Sequence, residues 1–133
     1  MKVNANTWVL AMSLRGFFAS EFLKYHGPTD SQAGITLVNY SRDNGFTQRL
    51  KEIPGKTIRD WIVKGDIPQW AVKGMVKYIT EAGFIAENCE QLDSIISYLI
   101  IDIDNNQLAS FLKAPLFKNY TYNDLISSID RAI

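Results

Sequence analysis

The chain has one cysteine, one histidine and no long apolar run, and its charges cancel. Cys89 alone closes no intrachain disulfide and builds no multi-cysteine zinc site, which makes a reducing compartment the expectation. The first apolar stretch, Trp8 to Met12, is interrupted at Arg15 and followed by Glu21 and Lys24. That is too short for a membrane span of about 20 residues or for a signal segment, so a cytoplasmic location without a membrane partner is expected. The triplets Asn39-Tyr40-Ser41 and Asn119-Tyr120-Thr121 are then chance matches to a glycosylation acceptor. With 14 basic against 14 acidic side chains, histone-like binding is excluded, and any contact with nucleic acid must rest on local charge.

Signs of catalysis are equally scarce. The chain carries no glycine-rich phosphate loop, no paired carboxylates in an apolar setting and no nucleophile motif, so the expectation is a non-enzyme without a cofactor. His26 stands beside the Gly27-Pro28 helix stop, where a histidine faces the negative end of the helix. Cys89 lies between Glu87 and Glu90, whose charge disfavours a thiolate, and reads as structural or incidental. Asp102-Ile103-Asp104-Asn105-Asn106 opens like a calcium loop, but Gln107 takes the glycine position and Lys113 the closing acidic one, so no metal is expected.

What is present is the material of an ordinary globular protein: 133 residues, 47% apolar and 12% aromatic, enough for one core or for a small domain with a helical appendage. Leu10, Leu14, Phe18, Phe22 and Tyr25 recur at helical spacing and predict one amphipathic helix over about Thr7 to Tyr25. After a small polar loop, Ile35, Leu37, Val38 and Tyr40 form a periodic run of undetermined type that closes at Asn44-Gly45. Phe46, Leu50 and Ile53 then predict a short helix and Pro54-Gly55 a turn. Ile58, Trp61 and Ile62 predict a second helix ended by Gly65, and Pro68 begins a third through Ala71, Met75 and Ile79 to Gly83. Three helices joined by very short connections result.

Three more helical stripes follow, through Leu92, Ile95, Ile96, Leu99 and Ile100, through Leu108, Phe111 and Leu112, and through Leu125, Ile126 and Ile129. The last starts at a Thr121 cap with Asp124 in its first turn. β-Branched residues and the alternation Ile101-Asp102-Ile103-Asp104 keep a short strand over Tyr98–Ile103 open within an otherwise all-α fold.

The functional signal lies between about Asp43 and about Gly83. Ile58, Trp61 and Ile62 anchor the middle helix, with Trp61 expected in the core. Lys56, Thr57, Arg59, Asp60 and Lys64 fall on its exposed side, where lysine and arginine reach phosphate or guanine edges and threonine reaches phosphate or a thymine methyl. The run Trp61-x-x-x-Gly65-x-Ile67-Pro68, followed by Trp70-Ala71, resembles the helix-turn-helix of bacteriophage CI/Cro-type repressors and their chromosomal relatives. The resemblance covers residues 43–83. It implies a helix two from about Phe46 to Lys51, carrying Gln48 and Arg49 across the phosphate backbone, and a recognition helix from about Gly55 to Lys64. Two departures stand out: Thr47 occupies a place where the family usually has a small residue, and Lys51-Glu52 lengthens the turn by one residue.

The resemblance makes double-stranded DNA the expected partner and transcriptional regulation, of a repressor-like kind, the expected role. Residues 42–81 carry eight basic against five acidic side chains, a modest surplus that asks for dimerisation to reach useful affinity. The expected organisation is a helical domain over 1–88 holding the helix-turn-helix and a helical segment over 89–133, whose apolar stripes would form a homodimer interface. The alternative is a helical protein-interaction module, such as an antitoxin or phage inhibitor, whose Lys/Arg face binds an acidic protein.

Overall fold

The computed structural model describes residues 1–27 and 29–133; Pro28, read as part of the first helix stop, lies outside the described residues. The fold is all-α, with eight α-helices, two 3₁₀ turns and no strand among the described residues. None of the helices is long and apolar enough to cross a membrane. The chain forms two compact units, residues 15–82 and residues 1–14 with 83–133. The boundary expected near 88 is therefore corrected, because the first fourteen residues belong with the C-terminal segment.

The expected single helix over Thr7–Tyr25 is instead two, α1 (Ala5–Ser13) and α2 (Arg15–His26). The break falls at Leu14, whose N–H bonds back to the Ala11 carbonyl at 3.3 Å. One continuous periodicity spans the break, but its two halves are buried in different cores: Ala11 in the terminal unit, Phe18 and Phe22 in the central one.

In the central unit, α2 is followed by α3 (Asp30–Asp43), α4 (Gly55–Lys64) and α5 (Gln69–Glu81). The run around Ile35–Tyr40, open in type from sequence, is the body of α3. Thr29 caps that helix, its hydroxyl accepting from the Gln32 N–H at 3.2 Å. α5 is buried from Ala71 to Val76 and again at Ile79 and Thr80, and packs against α2 and α3, while α4 lies against α3 and α2. Phe18, Phe22, Leu37, Val38, Ile58, Met75 and Ile79 fill the core. Gly74 sets the α3–α5 approach: a Cβ there would overlap the Ser41 hydroxyl and come within 3.2 Å of Leu37.

The terminal unit is built on α6 (Cys89–Ile100), which is buried from Gln91 to Ile100. α1 and α8 (Tyr122–Ala132) pack against α6, and α7 (Leu108–Leu112) and the 3₁₀ turns at 105–107 and 115–117 complete the unit. Asn88 caps α6 at 2.9 Å, and Thr121 caps α8 at 3.1 Å, as its sequence signal indicated. The short strand over Tyr98–Ile103 does not form. α6 runs to Ile100, the Ile103 N–H turns back to the Ile100 carbonyl at 3.0 Å, and Asp104 and Gln107 form a capping box. Across the α6–α8 contact, the nearly buried Asp93 carboxylate accepts from Ser128 at 2.7 Å and from the Arg131 guanidinium at 2.8 and 2.9 Å.

Candidate nucleic-acid interface

The middle helix of the expected helix-turn-helix forms with the expected bounds, since α4 covers Gly55–Lys64. Gly65 closes it in the left-handed conformation (φ 70°), donating to the Trp61 carbonyl at 2.8 Å, and the Gly65 carbonyl accepts from the Arg15 guanidinium at 3.0 Å. A glycine fits that conformation without a Cβ penalty. Pro68 then stands at the cap of α5.

The helix expected over Phe46–Lys51 is absent, and residues 44–54 form a non-helical connection between α3 and α4 in place of a tight turn. Tertiary anchors explain this. The Phe46 N–H bonds back to the Ser41 carbonyl at 2.8 Å, and the nearly buried Lys73 ammonium lies 6.0 Å from the Phe46 ring centre. Arg42 donates to the Arg49 carbonyl at 2.9 Å, which holds the connection against α3. At its far end the buried Ile53 sits where α3 carries Gly34; a Cβ at Gly34 would meet the Ile53 carbonyl at 2.7 Å. Leu50, assigned to the apolar stripe of that helix, is 80% exposed. Gln48 and Arg49 are thus exposed loop residues, and the Arg49 side chain donates to the Lys51 carbonyl at 2.9 Å.

On α4, Ile58 alone is fully buried. Trp61, expected in the core, is half-buried and meets Trp70 edge-on with ring centres 6.2 Å apart. On a ten-residue helix the inward position goes to Ile58, and Trp61, about 60° round the helix from it, leans on the first turn of α5. Lys56, Asp60, Val63 and Lys64 cluster on the opposite, exposed side, with Arg59 on one flank and the half-buried Thr57 on the other. Lys56 and Lys64 make no ion pair among the described residues.

Arg59 is exposed but engaged. Its Nε and Nη2 donate to the two carboxylate oxygens of Asp30, at 2.5 and 3.0 Å, in a bidentate pair between α4 and the first turn of α3. The hydrogen-bonded guanidinium holds the Asp30 carboxyl below the usual carboxylate range and raises the Arg59 pKa in turn. Arg59 also lines a cleft of about 440 Å³ with Ser20, Leu23, Lys24, Ile62 and Val63. Sequence reasoning missed Asp30. The Thr29-Asp30 pair is a helix-start signal inside a small polar stretch that reads as a loop, and the partner of Asp30 lies 29 residues away.

His26 is the last residue of α2, with Nδ1 3.3 Å from the Gly27 carbonyl and Nε2 2.9 Å from the Thr36 hydroxyl. Cys89 is exposed at the first position of α6. No group of three or more His, Cys, Asp or Glu side chains suited to a metal ion occurs among the described residues. The central unit carries ten basic against seven acidic side chains, and the terminal unit four against seven. Comparison of the chain with protein-family models, with curated proteins and with solved structures finds no match.

Proposed function

We propose that residues 15–82 bind double-stranded DNA with the outer face of α4 along the major groove, in a cytoplasmic transcriptional regulator of the phage-repressor kind. One observation carries this reading. α4 meets its own unit through Ile58 and presents Lys56, Asp60, Val63 and Lys64 to solvent, with both lysines unpaired among the described residues. A groove-reading helix needs such a cationic free face on an apolar seam. Lysines there neutralise phosphate, a valine suits a thymine methyl, and an aspartate accepts from a cytosine amino group.

Titration of the intact protein with a fluorescent duplex at two salt concentrations tests the reading. Affinity should fall as salt rises, and Lys56→Ala or Lys64→Ala should weaken binding to all sequences and reduce the salt slope by about one. Absent or salt-independent binding would remove DNA as the partner.

The second reading, a helical module that binds an acidic protein, is favoured by Leu50 and Val63, which are 80% and 86% exposed in the same unit as the free lysines. Exposed aliphatic side chains beside cations suit a protein surface. In that case Val63→Ser abolishes partner binding, and the intact protein shifts no duplex.

A homodimer belongs to the proposal, since two half-sites supply the affinity that one weakly cationic helix lacks. The stripes of α6 and α8 are buried inside their own unit, which leaves less apolar surface in 89–133 for an interface than the sequence predicts. The outer face of α1 also offers Val9 and Met12, both exposed. Sedimentation of the intact chain and of Val9→Asp tests this: the parent should dimerise and the variant should not.

A further inference from the structure

The Asp30–Arg59 pair leaves part of the guanidinium unused. Arginine has five N–H donors in a planar fork, and Asp30 takes the Nε hydrogen and one on Nη2. Three remain, two of them parallel along the Nη1–Nη2 edge, on a side chain that is 62% exposed. Those two parallel donors match the O6 and N7 acceptors of guanine. A free arginine on a helix flank samples many rotamers and loses them on binding, whereas a guanidinium gripped on one edge by a carboxylate has its plane already set.

The grip itself rests on rigid elements. Asp30 lies in the first turn of α3 behind the Thr29 cap, and Gly55 brings the start of α4 so close to it that a Cβ would stand 2.7 Å from the Ser31 nitrogen.

We infer that Asp30 is a positioning residue for DNA reading: by holding one edge of Arg59 it aims the other at a single guanine. The inference rests on the DNA-binding reading above. It assigns sequence preference to a residue whose own charge repels phosphate, and this gives it an unusual signature. Removing the carboxylate should lower discrimination at one base pair while non-specific affinity stays level or rises, because a negative charge near the backbone is gone.

The experiment selects bound fragments from a random duplex pool with the intact protein, with Asp30→Ala, with Arg59→Ala, and with Asp66→Asn as an equal change of charge at an exposed position beyond the end of α4. Binding to the selected sequence and to an unrelated duplex is then titrated, and melting is followed for each variant. The parent should return a consensus containing one guanine whose preference falls roughly five- to 150-fold, the span of one bidentate pair, in both Asp30→Ala and Arg59→Ala. Asp66→Asn should keep that guanine, and Asp30→Ala should bind the unrelated duplex at least as well as the parent.

Retention of the guanine preference in Asp30→Ala, or an equal gain on both duplexes in Asp30→Ala and Asp66→Asn, would reduce Asp30 to a bystander charge and overturn the inference while DNA binding stands. A parent that selects no consensus and shows no salt-dependent binding overturns both.

Discussion

Tyr40 buries its hydroxyl with no well-formed hydrogen bond, and burial, together with the nearby Glu81 carboxylate, pushes its phenol far above the usual range. A raised acid pKa means that the folded state prefers the protonated form. The contribution of this group to stability is therefore complete below the unfolded tyrosine pKa of about 10 and is lost as pH climbs past it. Tyr40→Phe removes that hydroxyl and keeps the ring against Tyr78, 5.3 Å away. It should leave stability unchanged or raise it by about 1 kcal/mol, and should flatten the alkaline loss in thermal melts recorded at neutral pH and above about pH 10. A clear destabilisation at neutral pH would mean that the hydroxyl has a partner after all. Asp93 is the converse case, a nearly buried carboxylate with its partners in place. Arg131→Ala leaves it with the Ser128 hydroxyl alone, and a loss of about 2 kcal/mol in denaturant unfolding is expected.

Helices whose apolar stripe serves one core were legible from sequence: α5 from Pro68 onward, α6, and α8 with its Thr121 cap. So were the ends of α4, where Pro54, Gly55 and Gly65 act through local backbone geometry. The segment after Phe46 was not legible. Phe46, Leu50 and Ile53 keep helical spacing, yet what places them is the Arg42 hydrogen bond to the Arg49 carbonyl and the space left at Gly34, both contacts with α3. The candidate face of α4 followed from periodicity, whereas the engagement of Arg59 by Asp30 is a long-range contact that no local pattern reports. The ranking of the α4 anchors also changes. Ile58→Ala should cost about 2 to 5 kcal/mol, and Trp61→Ala, at a half-exposed edge contact, clearly less. Equal costs in chemical denaturation would restore Trp61 to the core. Gly74→Ala tests the α3–α5 approach. The methyl must displace Ser41 or part the helices, so a loss of about 1 to 3 kcal/mol is expected from melting curves.

The two units differ in how the chain builds them. Residues 15–82 are continuous, and their contacts close within that stretch, whereas the terminal unit joins the first fourteen residues to a segment that begins at Gly83. The sequence hid this, because the stripe from Leu10 to Tyr25 reads as one helix with one owner. A fragment of residues 15–82 should therefore fold alone, with dispersed amide resonances and a cooperative melt. A fragment of residues 83–133 should not, because α6 then lacks the helix that the Tyr98 hydroxyl reaches at the Ala11 carbonyl, 2.8 Å away. That bond spans 87 positions. At a synthesis rate of roughly 5 to 20 residues per second, about 4 to 17 s separate the emergence of its two ends. During that interval the whole central unit can be made and closed, while α1 waits with its inner face bare. On the ribosome α1 is thus a segment for a chaperone to hold until α6 emerges.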